Sequence, residues 1–404
     1  MDTRGFSALR VHNFRLYLSG AVFSRVADNM EQVIRAWLVW EVTGSPFWLG
    51  VMVFCHWLPV TTLSIFAGVL ADRLDNRKLM MVCECLYLLS SLLMGILVVT
   101  GLINLWEIGA LLIIHGMAAA IGNPSRQVFV HDIVGKEKLV SAVSLTNSLF
   151  QCMQFVGPAM AGFIIASAGV GVAYLVDAAV FVPALVSLAI IRVVKQHRQT
   201  SQVSPWASTA EGFRHVKGDP LLLSLIALAT VPAVLIGDSV AAMMPIFATE
   251  VLRVGPEGMG ILLSANGFGA ISTAIFISYL GGLRRKGSLI VLTSALFGLL
   301  VVAFSASSWY YVSMIVLVGI GMAGVASQTI ISTSLQLAAP DLLRGRVMAL
   351  YSLGTLGVRT FNGPMIGVLA TAVGAPLALG LLGGLVSIAV LIIAVLTPER
   401  RKLN

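Results

Sequence analysis

The sequence predicts an all-α membrane protein with twelve transmembrane helices in two pseudo-symmetric six-helix bundles. Three observations lead there. Of 404 residues, 58% are hydrophobic and only 11% are charged, too few to clothe a soluble surface. Apolar runs long enough to cross about 30 Å of hydrocarbon, roughly 20 residues each, recur along the whole chain. The two halves also repeat the same small motifs in the same order.

Twelve spans are expected, at 14–41, 47–71, 79–101, 105–122, 140–166, 170–194, 221–249, 256–280, 288–305, 309–336, 345–370 and 374–396. The stretch before the first span is polar, so no cleavable signal peptide is read there and the N-terminus is expected to stay in the cytoplasm. Lys and Arg accumulate in cytoplasmic loops. Of the 26 here, Arg25, Arg35 and Arg359 fall inside spans and Arg253 alone falls on the expected outer side. Both termini are thus expected in the cytoplasm, in a bacterial inner membrane. The net charge of +8 reflects this topology and anionic lipid headgroups, and calls for no nucleic-acid partner. The four cysteines, Cys55, Cys83, Cys85 and Cys152, lie in or at the ends of spans as small apolar residues, with no disulfide expected. The Cys83–Glu84–Cys85 triplet lacks a second ligand pair, so no metal site is expected.

The stretch 195–220 is polar and cationic with six spans on either side. It reads as a cytoplasmic linker between residues 1–194 and 221–404. "EVTGSPFWLG" from Glu41 parallels "EVLRVGPEGMG" from Glu250, and "VGPAMAGFI" from Val156 parallels "NGPMIGVL" from Asn362. In this register Asp28 precedes Pro46 by 18 residues and Asp238 precedes Pro256 by 18, so the two intramembrane acids are repeat-related. A site between repeats is expected to hold such a pair.

"SRVADNMEQVIRAWLVW", from Ser24, reads as a span yet carries four charges. At 100° per residue, Arg25, Asp28, Glu31, Gln32 and Arg35 fall within an arc of roughly 120°, one stripe of a helix. Its charges cancel, and Arg25 with Asp28 and Glu31 with Arg35 stand at pairing distance along a helix. The stripe is either a structural ion-pair ladder or the wall of a water-filled cavity. In the second reading Asp28 or Glu31 takes up and releases a proton while the arginines bind anionic groups of a solute. Arg359 in span 11 either contacts an anionic substrate or pairs with Asp238. His115 in span 4 is either a proton relay or a satisfied polar residue. Gln328, Thr329 and Thr333 give span 10 a polar face, and Glu84 and Asp177 are structural partners or ligands.

"GVLADRLDNRKLM" from Gly68 joins spans 2 and 3. Gly68 permits close helix approach, Asp72 accepts hydrogen bonds, and Arg73 and Arg77 hold the loop at the cytoplasmic surface. This stretch resembles the signature of the major facilitator superfamily, which places a Gly, an acid four positions on and then a basic cluster between helices 2 and 3. The resemblance implies a cytoplasmic latch at Gly68, Asp72, Arg73 and Arg77, and a cavity lined by helices 1, 4, 7 and 10. Asp75 and Asn76 depart from the pattern, and "SYLGGLRRKGS" in the second half keeps the cations without the acid. "GFRHVKGDPLL", "LQLAAPDLLRGRVMALYSL" and "VGPAMAGFI" are similar to the branch of drug and siderophore exporters. Gly157, Pro158 and Gly162 lie where antiporters of the superfamily carry a Gly-Pro motif, read as a helix bend or as a packing feature.

No nucleotide-binding loop, hydrolytic triad or cofactor motif is found, so an enzyme or an ATP-driven pump is not expected. The resulting expectation is a monomeric, proton-coupled secondary exporter of a siderophore-like or amphiphilic small molecule. An importer of such a nutrient remains open, as does, from another class, a non-transporting membrane sensor.

Overall fold

The computed structural model describes residues 3–191, 213–280, 286–340 and 343–397. These form helices joined by short turns, as a membrane demands, because a helix satisfies its own backbone donors and acceptors where water is absent. After a short 3-10 turn at Thr3–Arg10 come α1 (His12–Thr43), α2 (Pro46–Arg73) and α3 (Asn76–Val99). The 86-residue helical run Leu105–Ile190 leaves helical geometry at Gly135 and Gly169, where φ is 72° and 85°. Only glycine adopts such angles freely, so the run divides into α4 (105–134), α5 (136–168) and α6 (170–190). Then follow α7 (Pro220–Val251), α8 (Gly255–Leu280), α9 (Lys286–Ser305), α10 (Tyr310–Ala338), α11 (344–373) and α12 (Ala375–Leu396). Eight stretches are long and apolar enough to cross a membrane. One is the run that the glycines divide into three, and the charged α1 and the interrupted α11 complete twelve among the described residues.

Caps fix several ends. Asp75 accepts from the backbone N–H groups of Arg77 and Lys78 at the start of α3. Asn104 and Glu107 form a reciprocal capping box on α4, and Asp219 caps α7. The expected linker 195–220 lies mostly outside the described residues; 213–218 form a helical turn just before that cap. Span 4 was expected to end at residue 122, yet α4 runs on through Asn123 and Pro124 to residue 134. Span 7 was expected to be continuous, but α7 breaks after Leu235, with Gly237 at φ 42°, and resumes at Ser239. In α11 a π turn at Leu353–Gly357 separates Arg344–Ser352 from Arg359–Val373.

By its internal contacts the chain forms two compact units. The first comprises Met1–Val42, Cys55–Ser201 and Gly255–Ser264, and the second Thr43–Phe54, Gln202–Val254 and Ala265–Asn404. The first has an apolar core at Phe14, Tyr17, Met80, Phe129 and Leu188, and another at Ala27, Cys83, Tyr87, Ala118 and Phe181. In the second, Phe247 stacks on Phe304 with centroids 4.7 Å apart. Its α12 buries Leu379, Leu382, Val386 and Val390 and exposes Leu381, Leu385, Ile388 and Ile392, the pattern of a helix with one face to protein and one to lipid.

The repeated motifs meet crosswise. Gly162 of α5 lies against Gly260 and the Pro256 carbonyl of α8, within the first unit. Gly363 of α11 lies against the Gly50 carbonyl of α2, within the second. Both crossings leave no room for a Cβ, so small residues let backbones touch where lipid gives helices no hydrophobic reason to associate.

Candidate functional site

The charged stripe of α1 divides into two pairs in the first unit. Arg25 Nη1 donates to Asp28 Oδ2 at 3.0 Å, and the Arg25 guanidinium stands 5.0 Å over the ring of Phe150. Asn29 Nδ2 donates to the Arg25 carbonyl, while its Cβ seats against Gly157 of α5. One turn on, Arg35 Nη1 lies 3.3 Å from Glu31 Oε2. The first pair keeps side-chain exposures of 17% and 22%, the second only 10% and 4%. Asp28 is therefore the more exposed acid of this stripe, and Glu31 is the enclosed one. Gln32, between them, is half-buried.

Above Glu31 stand two imidazoles. His115 of α4 is buried, 3.5 Å by Nδ1 from Ser90 Oγ, with the Tyr87 ring 4.5 Å away and the His56 ring of α2 5.5 Å away, centroid to centroid. His56 escaped sequence reasoning because nothing in "VFCHWLPV" distinguishes it from a packed histidine. The signal that locates it is structural: Gly116, next to His115, lets α4 close onto the His56 carbonyl.

Sequence reasoning also placed Arg126 in a cytoplasmic loop. In the extended α4 it is buried and reaches Glu84 Oε1 at 3.5 Å, while Ser24 Oγ donates to the same oxygen at 2.9 Å. Tyr17, Ser24, Glu84, Arg126 and Ser187 line a small cavity there. Asp177, fully buried, accepts from Ser91 Oγ at 2.7 Å. Glu84 and Asp177 thus both have structural partners.

In the second unit Arg359 Nη1 donates to Asp238 Oδ1 at 2.9 Å. The break in α7 puts Asp238 at a helix start and leaves carbonyls of the preceding turn without helical partners. Asn362 repairs this by donating to the carbonyls of Val234 and Leu235 and accepting from Ser239 Oγ. On α10, Gln328 and Thr333 are exposed and Thr329 is half-buried.

Of the expected latch, Gly68 is half-buried and Arg73 exposed near the end of α2, while the Asp72 side chain lies outside the described residues. Arg77 donates through Nε to the Leu188 carbonyl and through Nη2 to the Ala189 carbonyl, at 2.7 and 2.6 Å, capping the end of α6. The two departures from the superfamily pattern have local work: Asp75 caps α3, and Asn76 donates to the Ala71 carbonyl. At the Gly-Pro motif, α5 keeps helical dihedrals through Pro158, and Gly157 and Gly162 are both taken up by close contacts.

A family model described as transmembrane secretion effector matches residues 3–403. The chain belongs to that family, within the major facilitator superfamily. It is 24% identical to the multidrug efflux pump Tap of Mycolicibacterium fortuitum, over 96% of each chain. It is 25% identical to the enterobactin exporter EntS of Shigella flexneri, over 89% of this chain and 82% of that one. The solved nucleoside transporter NupG superimposes with a TM-score of 0.72 at 12% identity, covering 94% of this chain and 99% of the other, which shows the fold. The secretion effector family, the fold and the efflux relatives together make this chain a multi-pass secondary transporter of a small molecule.

Proposed function

We propose that this secretion effector is a proton-coupled exporter of a zwitterionic amphiphile of the siderophore class, working by alternating access. The observation that carries the reading is the pair of acid–base couples on one face of α1, Arg25 with Asp28 and Arg35 with Glu31. Charges inside hydrocarbon are costly, and a chain that keeps four in one span has a use for them. A neutral hydrophobic drug needs no arginine, whereas carboxylates or catecholates of a chelator do. The similarity to an enterobactin exporter supports the same class.

In the cycle, a proton from outside neutralises Asp28, the Arg25–Asp28 pair opens, and Arg25 is released. On the cytoplasmic side Asp28 gives up its proton as the cationic group of the solute takes its carboxylate, while the anionic group takes Arg25. A cation beside Asp28 holds its carboxylate ionised, and a proton on Asp28 removes the charge that holds the solute's cationic group, so a zwitterionic solute and the proton exclude one another. Residues 1–194 and 221–404 act as the two moving bundles, joined through 195–220, with Gly68, Asp72, Arg73 and Arg77 as the cytoplasmic latch and Asp238 with Arg359 as the second bundle's counterpart of the α1 pairs. Gln32, His115, Gln328, Thr329 and Thr333 line the path. The protein works as a monomer in a bacterial inner membrane, termini in the cytoplasm, with no enzymatic step and no cofactor.

Energised uptake into everted vesicles tests this, with siderophores, macrolides and zwitterionic amphiphiles as the panel. The expected result is protonophore-sensitive accumulation of the chelator class. Accumulation only in right-side-out vesicles would make the chain an importer.

A further inference from the structure

We infer that Glu31, His56 and His115 form a binding site for a first-row divalent transition-metal ion, in competition with Arg35. The three residues come from α1, α2 and α4, all within the first unit, and each offers a ligand atom within 4.8 Å of the others. A four-coordinate ion held at about 2.0–2.1 Å places its ligands roughly 3.4 Å apart. Side-chain rotations of about 1 Å therefore close the site without moving a helix.

Several features prepare it. The close approach at Gly116 fixes α4 against the backbone of His56, so the two imidazoles emerge side by side. Ser90 Oγ stands 3.5 Å from His115 Nδ1, where it orients the ring as a hydrogen-bonding partner orients a ligating imidazole, and the Tyr87 ring packs on its flank. Trp57 lies edge-on to the His56 ring at 5.6 Å. His56 Nδ1 is buried without a hydrogen-bond partner, an unfavourable state that a metal ion relieves. Two imidazoles and a carboxylate suit Zn2+, Co2+ or Ni2+, whereas Ca2+ and Mg2+ take all-oxygen shells. Three protein ligands leave a fourth position to water.

Arg35 makes the site conditional. Its Nη1 sits 3.3 Å from Glu31 Oε2 yet makes no hydrogen bond there, so the pair is a loose one. A cation between the imidazoles and Glu31 displaces the guanidinium, because one carboxylate cannot hold two neighbouring cations without repulsion between them. Metal binding thereby frees Arg35. The inference does not depend on the direction or the coupling of transport, since binding is measured without a gradient.

The test is Co2+ titration of the full-length protein in detergent, affinity tag removed, read by visible d–d absorption and by Zn2+ competition. We expect a single Co2+ site of four-coordinate intensity, lost in Glu31→Gln and in His56→Gln, and about tenfold tighter in Arg35→Gln. His56 is only half-buried, so His56→Gln remains informative if a change at the buried His115 fails to fold. Wild type that takes up no more Co2+ than His56→Gln, or an affinity unmoved by Arg35→Gln, would overturn the assignment.

Discussion

Asp28→Asn abolishes protonophore-sensitive accumulation in everted vesicles while solute counterflow without a gradient continues. Asn matches Asp in shape, and its carbonyl still accepts from Arg25, so the 3.0 Å contact survives as a neutral hydrogen bond. What is lost is the proton that the side chain can take and release. The variant imitates the protonated state permanently, so Arg25 alone holds the solute, more weakly, while bundle movement stays intact and its link to the gradient is removed. Asp28 is the choice over Glu31 because it retains 22% side-chain exposure against 4%, and a proton carrier must reach water. Folding suffers little, since the pair is partly open and its net worth is small. The measurement is the accumulation ratio in energised vesicles beside the exchange rate in de-energised ones. Retained accumulation would remove Asp28 from the coupling role.

The second large effect is on stability. Arg126→Met should destabilise the protein by about 3–5 kcal/mol, the usual consequence of removing one partner of a buried ion pair. Glu84, with 4% side-chain exposure, would be left buried with only the Ser24 hydroxyl as donor, 2.9 Å away, a cost whether it stays charged or takes up a proton. Adding Glu84→Gln should recover most of the loss, because Gln still accepts from Ser24 and brings no charge. The apparent melting temperature in one detergent should therefore rank wild type and the double variant together, with Arg126→Met well below. A single variant as stable as wild type would show that the Glu84–Arg126 pair carries no structural load.

The sequence made the spans legible because length and hydropathy alone decide them, and it made the α1 pairs legible because i to i+3 and i to i+4 spacing fixes neighbours within one helix. Contacts between helices were less accessible. His56 and Glu31 are 25 positions apart, and their meeting depends on α4 closing at Gly116. Arg126 was hidden by Asn123–Pro124, which reads as a helix boundary in a soluble protein. Within a membrane, neighbouring groups tolerate Pro in a helix, and α4 continues. The break in α7 was hidden for the opposite reason: an apolar run gave no sign that Gly237 takes φ 42°. Asn362 is legible as the start of the repeated "NGPMIGVL" motif, but its role in satisfying the Val234 and Leu235 carbonyls needed α11 placed against α7.

The central claim is that solute and proton exchange at one stripe of α1. Proton movement driven by solute tests it most directly. Purified protein is reconstituted into liposomes loaded with a pH-sensitive dye, a chelator of the siderophore class is added on one side, and no prior gradient is imposed. The account predicts a pH change that requires the solute, runs opposite to it, and vanishes in Asp28→Asn. Solute entry of normal rate with no proton movement in the wild-type protein would contradict it.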